Sequence, residues 1–210
     1  VWVEKTVITL EAKVETKTYN GQDQTLEGFK NTTVDGYTVS GLTARTSGKD
    51  AQVYSNTVIE GTATVEKDGV DVTDKVVVNT VPGQLTINPR QVTLTSEKAS
   101  KPYDGTPLTR PIVTIEGDGF VEGEVSEIKA TGSVTNVSEG EVTNTITFTE
   151  GANYKASNYA ITKNEGKLSI TAITDEVTVT ITGNTDTKTY DGNKHSVEGY
   201  TVSISKPKLY

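Results

Sequence analysis

A pentapeptide of the form Lys-x-Tyr-Asp/Asn-Gly occurs three times: KTYNG at 17–21, KPYDG at 101–105 and KTYDG at 188–192. Tyr19, Tyr103 and Tyr190 stand 84 and 87 positions apart. A catalytic signature normally occurs once, whereas a motif returning at domain-length intervals marks an architectural repeat. The chain of 210 residues therefore reads as two full modules and part of a third. Residues 1–6 form the end of a preceding element, 7–89 repeat one, 90–173 repeat two and 174–210 an incomplete repeat three.

Each module is small, and only 33% of the chain is hydrophobic, so each core is modest and leaves little room for a deep pocket. Two-residue alternation dominates and no sustained helical periodicity is present. Val177, Val179 and Ile181 share one face of a strand, as do Val92 and Leu94, Leu85 and Ile87, Leu168 and Ile170, Ile146 and Phe148, and Tyr200, Val202 and Ile204. Asn-Gly and Asp-Gly pairs at 20–21, 35–36, 68–69, 104–105, 118–119 and 191–192 supply turns between them. Short strands with regular turn signals predict an all-β fold, a linear array of tandem small immunoglobulin-like β-sandwich modules. The alternative is a β-grasp-like module. It needs a helix, for which only 121–130 (VEGEVSEIKA) offers material, and Gly123 weakens that segment.

TYNGQDQTLEGF (18–29) and TYDGNKHSVEGY (189–200) match without a gap, so repeats one and three share a flavour that repeat two does not. In every copy Asn20-Gly21, Asp104-Gly105 or Asp191-Gly192 makes a turn, and the tyrosine before it packs over the sandwich edge with its hydroxyl on backbone. Lys17, Lys101 and Lys188 are exposed with their stems on apolar surface. About 35 residues of repeat three cannot close a sandwich alone. They are expected to pack on something else, with self-association through 174–210 by strand exchange or β-augmentation as the leading form.

The motifs and the closing segment GANYKASNYAITKNEGKLSI (151–170) resemble the MBG-type or YDG-type repeats of bacterial, mainly Gram-positive, cell-surface adhesins. Repeat one departs from that pattern in having Asn20 and in DKVVVNTVPGQLTI, which lacks the Asn-Tyr pair. The resemblance implies a cell-wall-anchored, extracellular array whose repeats act as a stalk holding a binding region away from the wall. The alternative is direct recognition of a host glycoprotein, mucin or immunoglobulin, with Tyr37, Tyr54, Tyr154, Tyr159 and Tyr200 as contact residues.

Other chemistry is poorly served. His195 is the single histidine and lies in a turn, so neither a Ser-His-Asp triad nor a multi-histidine zinc site can be assembled. Asp104 and Glu116 carry no more glycosidase signal than any two acids. We expect no enzyme activity and no cofactor. Two acidic clusters are weak calcium candidates, Asp68, Asp71 and Asp74 in one, and Glu116, Asp118, Glu122 and Glu124 in the other. Both read more simply as solvated hairpin tips. Lys17 with Asn79 and Lys101 with Asn164 are the pairs that an isopeptide crosslink would use, but the two asparagines differ in their offset from the closing glycine. The 20 basic residues are scattered and outnumbered by 28 acids, giving a net charge of −8. That argues against nucleic acid as a partner. No apolar run is long enough for membrane insertion. There is no cysteine, so no disulfide holds the modules together.

Overall fold

The computed structural model describes residues 4–174 and 176–205. Residues 1–3 of the predicted preceding element, and residues 175 and 206–210 of predicted repeat three, lie outside the described residues.

The first ten strands are β1 (Thr6–Glu11), β2 (Val14–Thr18), β3 (Gln24–Glu27), β4 (Thr33–Val34), β5 (Tyr37–Gly48), β6 (Val53–Tyr54), β7 (Val58–Lys67), β8 (Val70–Asp71), β9 (Val76–Val81) and β10 (Gln84–Asn88). The next ten are β11 (Arg90–Ser96), β12 (Ala99–Pro102), β13 (Leu108–Thr109), β14 (Val113–Gly117), β15 (Val125–Ala130), β16 (Ser133–Val134), β17 (Val142–Thr143), β18 (Ile146–Glu150), β19 (Tyr159–Asn164) and β20 (Lys167–Thr171). A hairpin of β21 (Val179–Gly183) and β22 (Tyr200–Ile204) follows. The fold is all-β. The described residues hold only three single-turn 3-10 segments as helix, and none is long and apolar enough to cross a membrane. The segment 121–130 is a turn leading into β15, because Val125 and Ile128 serve a strand paired with β18. The β-grasp alternative is thereby left without its helix.

The pattern of alternation translates directly into burial. Ile8 and Leu10 in β1, Leu85 and Ile87 in β10, Val92 and Leu94 in β11, and Leu168 and Ile170 in β20 are all buried. Each such side chain contributes about 1.5–3 kcal/mol on leaving water. Asp35-Gly36 and Asp68-Gly69, all at positive φ, form the two-residue turns that register Val34 opposite Tyr37 and Lys67 opposite Val70. Positive φ at both turn positions matches the twist of the strands they join.

The strands that begin and end predicted repeats one and two pair in parallel. β1 runs beside β9 with Thr6 opposite Val76 and Glu11 opposite Val81, and β2 runs beside β10 with Val14 opposite Gln84 and Thr18 opposite Asn88. Bonds from the Ala12 N–H to the Val81 carbonyl and from the Gln84 N–H to the Lys13 carbonyl, 3.0 and 3.2 Å, bridge the break between the two ladders. Gly83 is required there, since a Cβ would collide with the Lys13 carbonyl oxygen. The same pairing recurs later in the chain. β11 lies beside β19 with Arg90 opposite Tyr159, and β12 lies beside β20 with Ala99 opposite Leu168. Gly166 meets the Glu97 carbonyl as Gly83 meets that of Lys13, which accounts for the glycine in both GQLTI and GKLSI.

The chain divides into two compact units. The first holds Val1–Thr95, Thr114–Ile128 and Thr147–Asn164, and the second holds Ser96–Val113, Lys129–Ile146 and Glu165–Tyr210. In the first, Ile8, Leu10, Ala12, Phe29, Val39, Ala44, Val65 and Val76 form one core cluster. In the second, Leu108, Val134, Leu168 and Ile170 form another, with Ala99, Tyr103 and Val142 against it. Asn144 is fully buried in the second unit and fully bonded. Its Oδ1 accepts from the Gly132 N–H at 3.0 Å, and its Nδ2 donates to the carbonyls of Arg110 and Glu97 at 2.8 and 3.1 Å. A buried amide so completely satisfied fixes the strands it touches.

Candidate functional site: a buried two-tyrosine carboxylate

The three pentapeptides fold alike. In each, the side-chain oxygen of the Asn or Asp accepts the backbone N–H two residues on: Asn20 from Gln22, Asp104 from Thr106 and Asp191 from Asn193, all at 2.9 Å. Gly21, Gly105 and Gly192 follow at φ of +79°, +76° and +78°, a conformation that suits glycine. In the first two pentapeptides the preceding tyrosine amide continues the parallel ladder. Tyr19 N–H donates to the Asn88 carbonyl at 2.9 Å, and Tyr103 N–H donates to that of Thr171 at 3.0 Å.

The rings meet different fates. Tyr19 is buried, Tyr103 is half-buried, and Tyr190 is 92% exposed. The Tyr19 hydroxyl donates to Glu124 Oε1 at 2.6 Å, and the Tyr159 hydroxyl donates to Glu124 Oε2 at 2.6 Å. Glu124 is itself buried. The Tyr159 oxygen also accepts the Val121 N–H at 3.1 Å. The Tyr19 and Tyr159 rings meet edge to face, with centroids 5.8 Å apart, while Tyr154 stacks on Tyr159 at 5.5 Å. Burial, and then the Glu124 carboxylate as acceptor, pushes the Tyr19 phenol well above its ordinary value. The same two causes take Tyr159 up to about 12.

Further contacts surround this cluster, all within the first unit. Arg90 donates from Nε to the Gly119 carbonyl at 2.7 Å, from one terminal nitrogen to the Tyr19 carbonyl at 3.2 Å and from the other to the Asp118 carbonyl. Its planar fork can hold three carbonyls at once, which lysine cannot imitate. Gly21 approaches Val121 so closely that a Cβ would lie 2.7 Å from Val121 Cγ1. On another side, fully buried Asn158 accepts the Ala51 N–H at 2.7 Å and donates to Asp50 Oδ1 at 3.1 Å. Lys155 donates to Asp50 Oδ2 at 2.6 Å. The bonds from Lys155, then Asn158, hold the Asp50 carboxyl below the usual range. The Tyr54 hydroxyl accepts from the Asp50 N–H at 2.9 Å and donates to its carbonyl at 3.1 Å, so it shapes the loop that presents Asp50.

Thus residues of predicted repeat one (Tyr19, Gly21, Asp50 and Ala51) meet residues of predicted repeat two (Arg90, Val121, Glu124, Lys155, Asn158 and Tyr159). The hydroxyl of Tyr19 bonds a carboxylate, where the sequence suggested backbone. The sequence groups Glu124 with Glu116, Asp118 and Glu122 in a solvated acidic tip, whereas the fold buries it between two tyrosines. Asp118 remains exposed, with Oδ2 accepting the Gln91 N–H at 2.8 Å.

The remaining candidates are separate from this cluster. Tyr37 is half-buried, with the Lys67 ammonium 4.3 Å from its ring centroid, and bonds from Thr6 and Lys67 hold its phenol below the ordinary value. Tyr200 is exposed. Asp71 accepts the Thr73 N–H at 2.9 Å, and Asp68 occupies a hairpin turn. Among the described residues no group of three or more His, Asp or Glu side chains, Asp74 among them, is gathered to hold a metal ion. His195 Nε2 lies 2.8 Å from Asp191 Oδ1 on the exposed third turn. Asp104 accepts from Lys101 at 2.8 Å and from the Thr106 hydroxyl at 2.7 Å, and these bonds bring its carboxyl down to about 2. Lys17 donates to the Thr25 carbonyl at 2.9 Å, and Lys188 lies 3.0 Å from Asp186. Lys17 stands opposite Ile87 in the ladder while Asn79 stands opposite Thr9, so a crosslink between the two is out of register.

Chemically, a dry carboxylate with both oxygens occupied by hydroxyl donors is satisfied and sealed; it behaves as a fastening between segments distant in sequence. Comparison with models of protein families, with curated proteins and with solved structures returns no match for this chain.

Proposed function

We propose that the chain is a run of structural repeats from the stalk of a bacterial surface adhesin, built as small β-sandwich modules in a linear array that holds a binding region away from the cell wall. The observation that supports this reading best is the parallel pairing of first and last strands. Force applied at the start of β1 and the end of β10 draws two parallel strands past each other. Every hydrogen bond of the β1–β9 and β2–β10 ladders is then loaded together. Such a ladder resists until it fails as a unit, which serves an extracellular tether that has no disulfides. The Tyr19–Glu124–Tyr159 cluster supports the same reading, because it ties residues of one predicted repeat to residues of the next. The repeats are non-enzymatic structural parts in this account, exposed on the cell surface.

Direct recognition of a host glycoprotein, mucin or immunoglobulin has weaker support. Tyr54 and Tyr159 spend their hydroxyls inside the fold, and Tyr154 is stacked on Tyr159. Mechanical unfolding of the chain by its ends separates the two readings, since only a load-bearing stalk requires cooperative resistance to tension.

A further inference from the structure

We propose that Asn20 is a self-modifying position, which loses ammonia in the folded chain and becomes aspartate, turning the first pentapeptide from KTYNG into the KTYDG that stands at 188–192. Asn20 is the only asparagine of the chain that is followed by glycine. At every other asparagine a side chain on the next residue crowds the backbone nitrogen that has to attack. The turn supplies what the reaction needs. Asn20 is exposed, so water and hydroxide reach it. Its Oδ1 accepts the Gln22 N–H at 2.9 Å. That donor polarises the side-chain carbonyl and is already in place for the negative charge that Oδ1 gains during attack. The Gly21 N–H makes no hydrogen bond among the described residues, so none is lost in freeing its nitrogen.

The step balances with water alone. Hydroxide takes the Gly21 amide proton, and the nitrogen attacks Asn20 Cγ. The Cγ–Nδ2 bond then breaks; the nitrogen leaves as ammonia with a proton from water, which returns the hydroxide. Water next opens the cyclic imide. Opening at Cγ restores the normal backbone with a carboxylate at position 20. The fold accommodates that product, because Asp104 and Asp191 build the same turn. Each accepts the N–H two residues on at 2.9 Å, and the glycines that follow lie at φ of +76° and +78°, beside +79° at Gly21. Opening at the backbone carbonyl instead gives isoaspartate, which inserts a methylene between Tyr19 and Gly21. Neither neighbour has slack. The Tyr19 hydroxyl is held 2.6 Å from Glu124, and a Cβ on Gly21 would lie 2.7 Å from Val121 Cγ1. The fold therefore accepts aspartate at position 20 and is strained by isoaspartate.

The test is to hold the intact chain at mildly alkaline pH and body temperature, with circular dichroism confirming that it stays folded, and to follow tryptic peptides by mass spectrometry. Cleavage after Lys17 and Lys30 isolates residues 18–30. That peptide is expected to gain one mass unit at Asn20 before any other asparagine changes, and the folded chain should convert at least as fast as the same chain in urea. Asn20→Asp should melt with the parent. Isoaspartate-bearing chains, separated by ion exchange and identified by electron-transfer fragmentation, should melt below it. No gain at Asn20, an earlier gain at another asparagine, or faster conversion in urea than in the folded chain would overturn the proposal. A clear loss of melting temperature in Asn20→Asp, or isoaspartate-bearing chains that melt with the parent, would overturn the part assigned to the fold.

Discussion

The hydroxyl of Tyr19 lies 2.6 Å from Oε1 of Glu124, a carboxylate 105 residues away in sequence, and both groups are buried. Removing that hydroxyl leaves a dry carboxylate short of one of its two donors. Tyr19→Phe is therefore expected to destabilise the unit containing it by about 1–3 kcal/mol. Tyr190 sits in the same pentapeptide but is exposed, so Tyr190→Phe should stay within about 0.5 kcal/mol of the parent. Urea denaturation of the two variants measures the contrast; equal effects would mean that the buried bond contributes nothing.

Alkaline pH should attack the same cluster. Tyr19 and Tyr159 are both raised above the ordinary 10.0, Tyr159 to about 12. A group raised in the folded state contributes stability that is complete below its unfolded value. That contribution fades as pH climbs through the folded one. Stability should hold up to pH 10.0 and fall as pH approaches about 12. Tyr19→Phe should flatten the decline. Parallel recording of tyrosinate absorbance and circular dichroism checks this, and all tyrosines titrating near 10.0 without loss of structure would contradict it.

The three turn glycines provide a matched comparison. Gly21→Ala, Gly105→Ala and Gly192→Ala all force alanine into positive φ, at about 1 kcal/mol each. At Gly21 the new methyl also meets Val121 at 2.7 Å, while nothing stands within 4 Å at Gly105 or Gly192. Gly21→Ala should lower the melting temperature most, and the excess over Gly105→Ala reports the packing of Gly21 on Val121. Similar losses at all three positions would show that packing to be slack.

Strands and turns were legible from local signals. Alternation picked out Leu85, Ile87, Val92, Leu94, Leu168 and Ile170, because a half-buried strand must point every second side chain inward. Asp35-Gly36 and Asp68-Gly69 announced their turns through the need for positive φ. Glu124 was not legible. EGDGFVEGE is acidic and glycine-rich, and nothing within it says that one carboxylate will face two tyrosine hydroxyls supplied by residues 19 and 159. Parallel pairing was equally hidden, since β1 and β9 are brought together by 70 residues whose path local sequence does not set. The alternation of Val179 and Ile181 was read correctly as a strand, yet their faces are exposed: periodicity shows that a side is apolar and not what covers it.

The central claim, that the paired first and last strands bear load, is tested most directly by single-molecule pulling of the chain through cysteines placed at Thr6 and Asn88, and separately at Thr6 and Val76. The first geometry shears the β1–β9 and β2–β10 ladders; the second peels β1 from β9 one bond at a time from their shared starting end. The account predicts a single all-or-none rupture at several-fold higher force for the Thr6–Asn88 pair. Rupture at equal force in both geometries, or gradual extension under Thr6–Asn88 tension, would contradict it.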